Sequence, residues 1–300
     1  MRLSRSNNTL MIVLASLLAT AAFAQDAASA DLLRWKLKAG DELQILSEQS
    51  VVSKTSYAAE AVATTVNISL ESRWIVGKVA AEQIELTQQI DRIQVRLETP
   101  KTAAIIYDSA DEKRPSGLAR QLQSALKPLL GAQLKLTMTD RGEIVTSELP
   151  PGLAAAAGEN KSSAPLVGAE AIRELVSKPP VVLPLEEVEP GATWEVKANQ
   201  RSPIGDVTDE RTFRLLAIDE ADAGRIARIE ATSKLEFEPS KAKLKVTESS
   251  LKQTVLFAVE GGNVRSTEQT MRLRTESPYR ETTIAVEVDT TLKTTYDRAK

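Results

Sequence analysis

Among its 300 residues the chain has no histidine and no cysteine. That removes Ser-His-Asp and Cys-His catalysis, His- or Cys-ligated zinc, imidazole proton transfer near neutral pH and any disulfide framework. An enzyme built on this sequence would run on carboxylates, Lys, Tyr, Ser or Thr. Three Ser-x-x-Lys triplets, Ser124/Lys127, Ser240/Lys243 and Ser249/Lys252, carry the spacing of a serine nucleophile with a lysine base. No Lys-Thr-Gly or Ser-Asp-Asn companion accompanies them, and two lie in strand-like sequence, so the spacing reads as coincidence. Acids gather at Asp206, Asp209 and Glu210 and again over Asp219-Glu220-Ala221-Asp222. Neither group meets the EF-hand pattern, and the second, ending at Gly224, reads as a hairpin turn with solvated carboxylates. Paired carboxylates for glycoside hydrolysis need a cleft, usually lined with aromatic rings, and aromatics make up only 4% of the chain. Glycine-rich phosphate loops are absent. The expectation is a protein without catalytic residues, metal or cofactor, with a carboxylate-based hydrolase as the weakest alternative.

The polar cluster best placed to meet a ligand is Tyr107-Asp108-Ser109, directly after an apolar Ile105-Ile106 pair. Asp108 and Ser109 at a strand end are also ordinary turn residues, able to accept backbone N–H bonds. Tyr107 and Asp108, with Trp74 and Leu126, are the candidate ligand-binding residues. Trp35, Trp74 and Trp194 read as sheet anchors in the core.

The elements that must position these residues are mostly strands. Ile284, Val286, Val288, Leu292 and Tyr296 alternate with Glu287, Asp289, Lys293 and Asp297, the period of a strand with one face buried. Val66 to Val76 and Leu251 to Val259 repeat it. Between Ile84 and Leu97 the apolar phase slips near Asp91-Arg92, which predicts a β-bulge or bend. One helix is predicted over 117–130, with Leu118, Leu122, Leu126, Leu129 and Leu130 on its apolar side and Gly131 after it. Its buried Leu122 and Leu126 are expected to meet strand residues such as Trp74 or Leu136. A shorter helix is predicted over 169–177, ahead of Pro179-Pro180.

Two landmarks recur in order. Leu37-Lys38-Ala39-Gly40-Asp41-Glu42-Leu43 matches Val188-Glu189-Pro190-Gly191-Ala192-Thr193-Trp194, and Thr139-Asp140-Arg141-Gly142 matches Val259-Glu260-Gly261-Gly262. The fold class is therefore mainly β (α+β): two related antiparallel units, a curved sheet or half-barrel, with one or two short helices. The units span 31–150 and 181–300, joined by a linker over 151–180 that is rich in Ala, Gly, Ser and Pro toward its start. The second copy is shorter by roughly the length of the Leu-rich helix and its flanks.

Residues 1–24 form a secretory signal peptide: Arg2 and Arg5, an apolar run from Leu10 to Ala19, and Ala22-Phe23-Ala24 before Gln25. Its removal takes two arginines and no acids from 38 basic and 41 acidic side chains, leaving about five net negative charges. That balance disfavours nucleic acid. No second apolar run reaches membrane-spanning length, so an integral membrane protein is not expected.

The strand Ile105 to Ser109, the Pro-Leu-rich helix and the Lys135 to Ile144 turn, with Leu37-Lys38-Ala39-Gly40-Asp41, resemble an uncharacterised family of exported bacterial β-rich repeat proteins. The resemblance covers roughly residues 35–150 and implies export and a β-rich fold, with no assigned activity. The strand-and-helix arrangement is also similar in architecture to periplasmic lipoprotein carriers. Together these readings point to an exported, periplasmic or secreted, non-enzymatic protein. Its partner would be an apolar or amphipathic ligand, a lipid among them, or an envelope protein. A structural module of the envelope without a pocket is the alternative.

Overall fold

The computed structural model describes residues 30–148 and 180–299, except 59, 81, 101, 113, 203–204, 223, 239–243 and 281. Residues 1–24, read as a signal peptide, and the helix predicted over 169–177 lie outside the described residues. In chain order the strands are β1 (Glu42–Tyr57), β2 (Glu60–Ala80), β3 (Gln83–Thr99), β4 (Thr102–Asp108), β5 (Gln133–Thr139), β6 (Ile144–Glu148), β7 (Thr193–Ser202), β8 (Gly205–Asp219), β9 (Ile226–Phe237), β10 (Lys245–Ala258), β11 (Asn263–Tyr279) and β12 (Thr282–Arg298). A helix, α1 (Gly117–Leu126), lies between β4 and β5.

All twelve strands join one antiparallel sheet in the order β6-β5-β3-β2-β1-β12-β11-β10-β9-β8-β7, with β4 pairing the far end of β3. The stretches 31–150 and 181–300 each contribute a meander, and both meanders run across the sheet in the same direction. They meet where β1 pairs β12 from Leu43↔Arg298 to Tyr57↔Ile284. The two glycine turns that open them are hydrogen-bonded alike. Gly40 N–H donates to Val76 O and Val76 N–H to Asp41 O; Gly191 N–H donates to Leu215 O and Leu215 N–H to Ala192 O. Where the first meander inserts β4 and α1 between β3 and β5, in the second the next strand, β10, pairs β9 with no such insertion among the described residues.

Alternation sorts the side chains cleanly. Leu43, Ile45 and Val51 on β1, Val66, Ile68, Leu70, Trp74 and Val76 on β2, and Phe213, Leu215, Ile229, Val255 and Phe257 on β8 to β10 are buried on one face, here the inner face. On the other face charges pair directly across the ladder, Glu71 with Arg92, Asp289 with Arg272 and Glu210 with Lys197. Such cross-strand pairs set register more than they add stability. At Asp91 the β2–β3 register shifts by one, so Ile84, Leu86 and Ile90 before it and Ile93 and Val95 after it all face inward. This is the bulge the phase slip predicts.

The sheet curls at one end. Trp35 places its ring 5.9 Å from Trp74 on β2 and 6.0 Å from Phe257 on β10. Those strands are four places apart, which on a flat sheet is about 19 Å. The extended segment 31–37 draws the curl tight: Trp35 N–H donates to Asp140 O in the β5–β6 turn, and Lys36 N–H to Gly262 O in the β10–β11 turn. Segment 180–188 runs beside it, with Leu183 N–H donating to Arg141 O and backbone bonds in both directions between Asp31 and Val188. Leu33, Trp35, Leu37, Val181 and Leu183 thus fill the curled end between the two meanders.

Helix α1 is shorter than predicted. It gives way at Leu126 to a 3-10 turn over Lys127–Leu129, because Pro128 has no N–H to donate to Ser124 O. Gly131 follows at φ +72°, and its N–H donates to Ile90 O.

The curl makes a stability prediction. Gly142 (φ +91°) sits where a Cβ would lie 2.5 Å from Val181 O, and at Gly262 (φ +58°) it would collide with Lys36 Cβ. Gly40 (φ +88°) faces open space. Gly40→Ala should cost only the left-handed conformation, about 1–2 kcal/mol. Gly142→Ala and Gly262→Ala should each cost at least twice as much in urea denaturation, since backbone must move as well. Equal losses at all three would show that segment 31–37 does not hold the curl.

Candidate functional site

The inner face carries two apolar clusters. One, at the curled end, contains Trp35, Trp74, Leu136, Phe213 and Phe257. The other contains Val51, Ile68, Leu70, Ile93, Val95 and Tyr107 under Leu122, Leu126 and Leu129. Leu122 and Leu126 are buried as expected, with Leu126 at 0% exposure, but not against Trp74 or Leu136. That contact is corrected. Strand β2 is 21 residues long, about 70 Å, and the ten-residue helix covers only one part of it. Between the clusters lies a polar seam of Ser72, Gln88, Ser47 and Thr294, the last two within 3.2 Å through their hydroxyls.

The candidate residues consequently separate. Tyr107 and Leu126 come together in the helix-covered cluster, and Trp74 sits in the other. Burial raises the Tyr107 hydroxyl's pKa, with a smaller contribution from the neighbouring Asp108 charge. Asp108, one residue on, lies on the outer face. Its carboxylate accepts from Arg92 Nε (3.0 Å) and Nη2 (2.7 Å), Gln94 Nε2 (2.8 Å) and Ala110 N–H (2.9 Å). The Arg92 guanidinium, above all its hydrogen bonds, holds Asp108 well below the usual carboxylate range. Ser109 Oγ accepts from Ile93 N–H. Asp108 and Ser109 thus close the turn after β4. A trough of roughly 530 Å³ on the outer face is lined by Tyr107 and Asp108 themselves, with Asn67, Arg96, Ile106 and Lys293.

The chemistry raised by short motifs is not assembled. Ser124 Oγ donates to Arg120 O within its own helix, and Ser249 and Lys252 project from opposite faces of β10. Ser240 and Lys243 lie outside the described residues. Asp219 pairs with Arg228 at 3.1 Å. Among the described residues no three acids gather as a metal site.

Beyond the helix, on β9 to β12, the inner face changes character. Leu235, Phe237, Met271, Leu273, Val286, Val288 and Leu292 point inward yet are only half-buried. Leu273 stands directly opposite Val288, and Met271 opposite Thr290. Near the β9–β10 end, a cavity of about 290 Å³ is lined by Leu235, Phe237, Leu244 and Val246 together with Ser249, Thr247 and two acids, Glu238 and Glu248. Against this surface sits a polar group that the sequence reading treated only as part of an acidic cluster. Asp209 is 5% exposed and is the one buried acid among the described residues. Its Oδ2 accepts from Arg211 Nη2 at 2.7 Å. The signal was present in the alternation: Asp209 and Arg211 share the odd-numbered parity of Val207, Phe213 and Leu215.

No protein-family model and no curated protein matches this sequence. Among solved structures, the fold is similar to lipovitellin, in a structure concerned with lipid–protein interactions, at TM-score 0.52 and 11% identity. The match covers 86% of this chain and 25% of that one, so the chain spans about a quarter of lipovitellin's length. An outer-membrane channel from Pseudomonas putida F1 matches at TM-score 0.26 and 9% identity, over 88% of this chain and 98% of that one. The likeness to lipovitellin is one of fold. Among the described residues no helix is long and apolar enough to cross a membrane.

Two substitutions test the assignments in the helix-covered region. Leu126→Ala should cost about 2–5 kcal/mol in chemical denaturation, as for a fully buried leucine. A loss below ~1 kcal/mol would mean that the helix is not packed there. Asp108 has a lowered folded-state pKa, so its contribution is complete above an unfolded-state value of about 4 and fades as pH falls below that. Asp108→Asn should therefore flatten the acid side of the stability–pH curve below about pH 4 and leave its shape at neutral pH unchanged. An unaltered acid limb would contradict the Arg92 pairing.

Proposed function

We propose that this chain is an exported, non-enzymatic protein that holds a lipid or another apolar ligand against the inner face of its sheet. The observation that carries the reading is the half-buried aliphatic surface of β9 to β12. The rest of the face is filled, by segments 31–37 and 180–188 at the curled end and by α1 over β1 to β4. Met271, Leu273, Val286 and Leu292 belong to neither filled cluster and remain half-buried, with Val288 at the border of the helix-covered one. Partly buried aliphatic side chains gathered on one face suit an apolar ligand that would complete their burial, and an acyl chain gains about 0.8 kcal/mol for each methylene it buries. The similarity to the lipovitellin fold supports the same reading. Export rests on residues 1–24.

Binding of a fluorescent fatty-acyl probe tests the proposal. Leu273→Glu and Val288→Glu place a charge on the open apolar surface and should each weaken uptake at least tenfold. Thr291→Glu, on the outer face of β12, should leave it unchanged. Absence of uptake by the wild type, or equal loss in all three variants, would overturn the reading. N-terminal sequencing of the mature protein should begin at Gln25; a retained Met1 would overturn export.

A further inference from the structure

Several buried polar atoms on this face lack a hydrogen-bond partner, Gln88 Oε1 and the indole nitrogens of Trp35 and Trp74 among them, and Asp209 Oδ1 is the one that belongs to a carboxylate. It projects inward from β8, opposite Leu235 on β9, which lines the cavity at the β9–β10 end. The polar atoms around it are almost all engaged. Arg211 gives Nη2 to Asp209 Oδ2 at 2.7 Å, Nε to Ser233 Oγ at 3.2 Å and Nη1 to Gln253 Oε1 at 3.4 Å. Gln253, itself buried, gives Nε2 to Pro180 O at 3.0 Å. One atom is left over. Asp209 Oδ1 is buried and has no hydrogen-bond partner among the described residues.

A carboxylate oxygen kept out of water and unpaired is costly, and a folded chain retains it where something else supplies the donor. The network around it is built to hold an acceptor still: Arg211 fixes one oxygen of Asp209, and Ser233 and Gln253 fix Arg211. Charge decides the kind of donor. Asp209 and Arg211 already neutralise one another, so a cationic head at Asp209 would bring an extra charge into the buried network, and a carboxylate head would meet Asp209, and Glu238 and Glu248 along the cavity, with like sign. A neutral hydroxyl meets neither penalty.

Building on the reading of the inner face as a lipid site, we propose that Asp209 Oδ1 accepts a hydrogen bond from the hydroxyl of a neutral amphiphile, such as an acylglycerol. Its acyl chain would lie along Leu235, Leu251 and Leu273. The site is selective by head group, and its specificity is set by one acceptor atom in an otherwise satisfied network.

The experiment compares three probes of one chain length, monomyristoylglycerol, methyl myristate and myristate, by displacement of N-phenyl-1-naphthylamine from the full-length mature protein. The wild type should bind monomyristoylglycerol at least fivefold more tightly than the methyl ester, and myristate no better than the ester. In Asp209→Asn the amide oxygen takes the place facing Arg211 and the NH₂ takes the free position, so acceptor becomes donor. The preference for the hydroxyl should vanish, and affinity for the ester should hold or rise. If the three probes bind the wild type equally, or if Asp209→Asn keeps the preference, the head-group assignment is wrong while the lipid-binding face stands. If none displaces the dye, both fail. Should the variant not fold, the wild-type ranking alone decides.

Discussion

Two backbone hydrogen bonds from adjacent residues govern the architecture. Trp35 and Lys36 donate to turns that lie six strands apart in the sheet, at Asp140 and Gly262. A flat antiparallel sheet would set β5 and β10 about 29 Å apart, so these bonds require the sheet to roll toward itself at one end. Everything on the inner face follows from that roll. The curled end becomes narrow enough for two extended segments to fill, and the face away from it stays wide. The same geometry explains why glycine stands at 142 and 262. Segments 31–37 and 180–188 pass so close to these turns that a side chain at 142 would meet Val181 O and the Trp35 ring, and one at 262 the Lys36 stem.

Much of this is written in local sequence, and the reasons differ by feature. Alternation survives wherever one face is buried, so β1, β2, β10 and β12 read directly, and the slip at Asp91 marked the bulge because a single added residue reverses parity. The matched glycine turns were legible because both need positive φ: Gly40 and Gly191 at +88° and +97°, Gly142 and Gly262 at +91° and +58°. Long-range placement was not. Nothing near Leu126 or Trp74 says which part of a 70 Å strand a short helix will cover, and their assignment to one cluster failed for that reason. Tyr107 and Asp108 point to opposite faces of β4, as neighbours on a strand do, yet both border the trough beside that strand.

The buried Asp209 shows a second limit of sequence reading. Charged residues are priced as exposed, and Asp209 beside Glu210 looks like surface. Only its parity with Phe213 and Leu215 places it inward, and only the folded ladder brings Ser233 and Gln253 within reach of Arg211. Polar groups on an otherwise aliphatic face divide into two kinds here. The Ser47–Thr294 pair satisfies itself and separates two apolar clusters, whereas Asp209 retains an unspent acceptor.

The strand order carries a consequence for how this sheet is made. Its middle is the β1–β12 ladder, which joins residues roughly 250 positions apart, so the central seam is also the contact of greatest sequence separation. Each meander can zip locally, hairpin by hairpin, before that seam exists. Until β12 docks, β1 and β11 are long unpaired edges on two half-sheets, open to pairing with other chains. Strand β12, which pairs both β1 and β11, therefore works as a zipper. A chain held extended until β12 is available, and then allowed to close, avoids the window in which those edges are exposed.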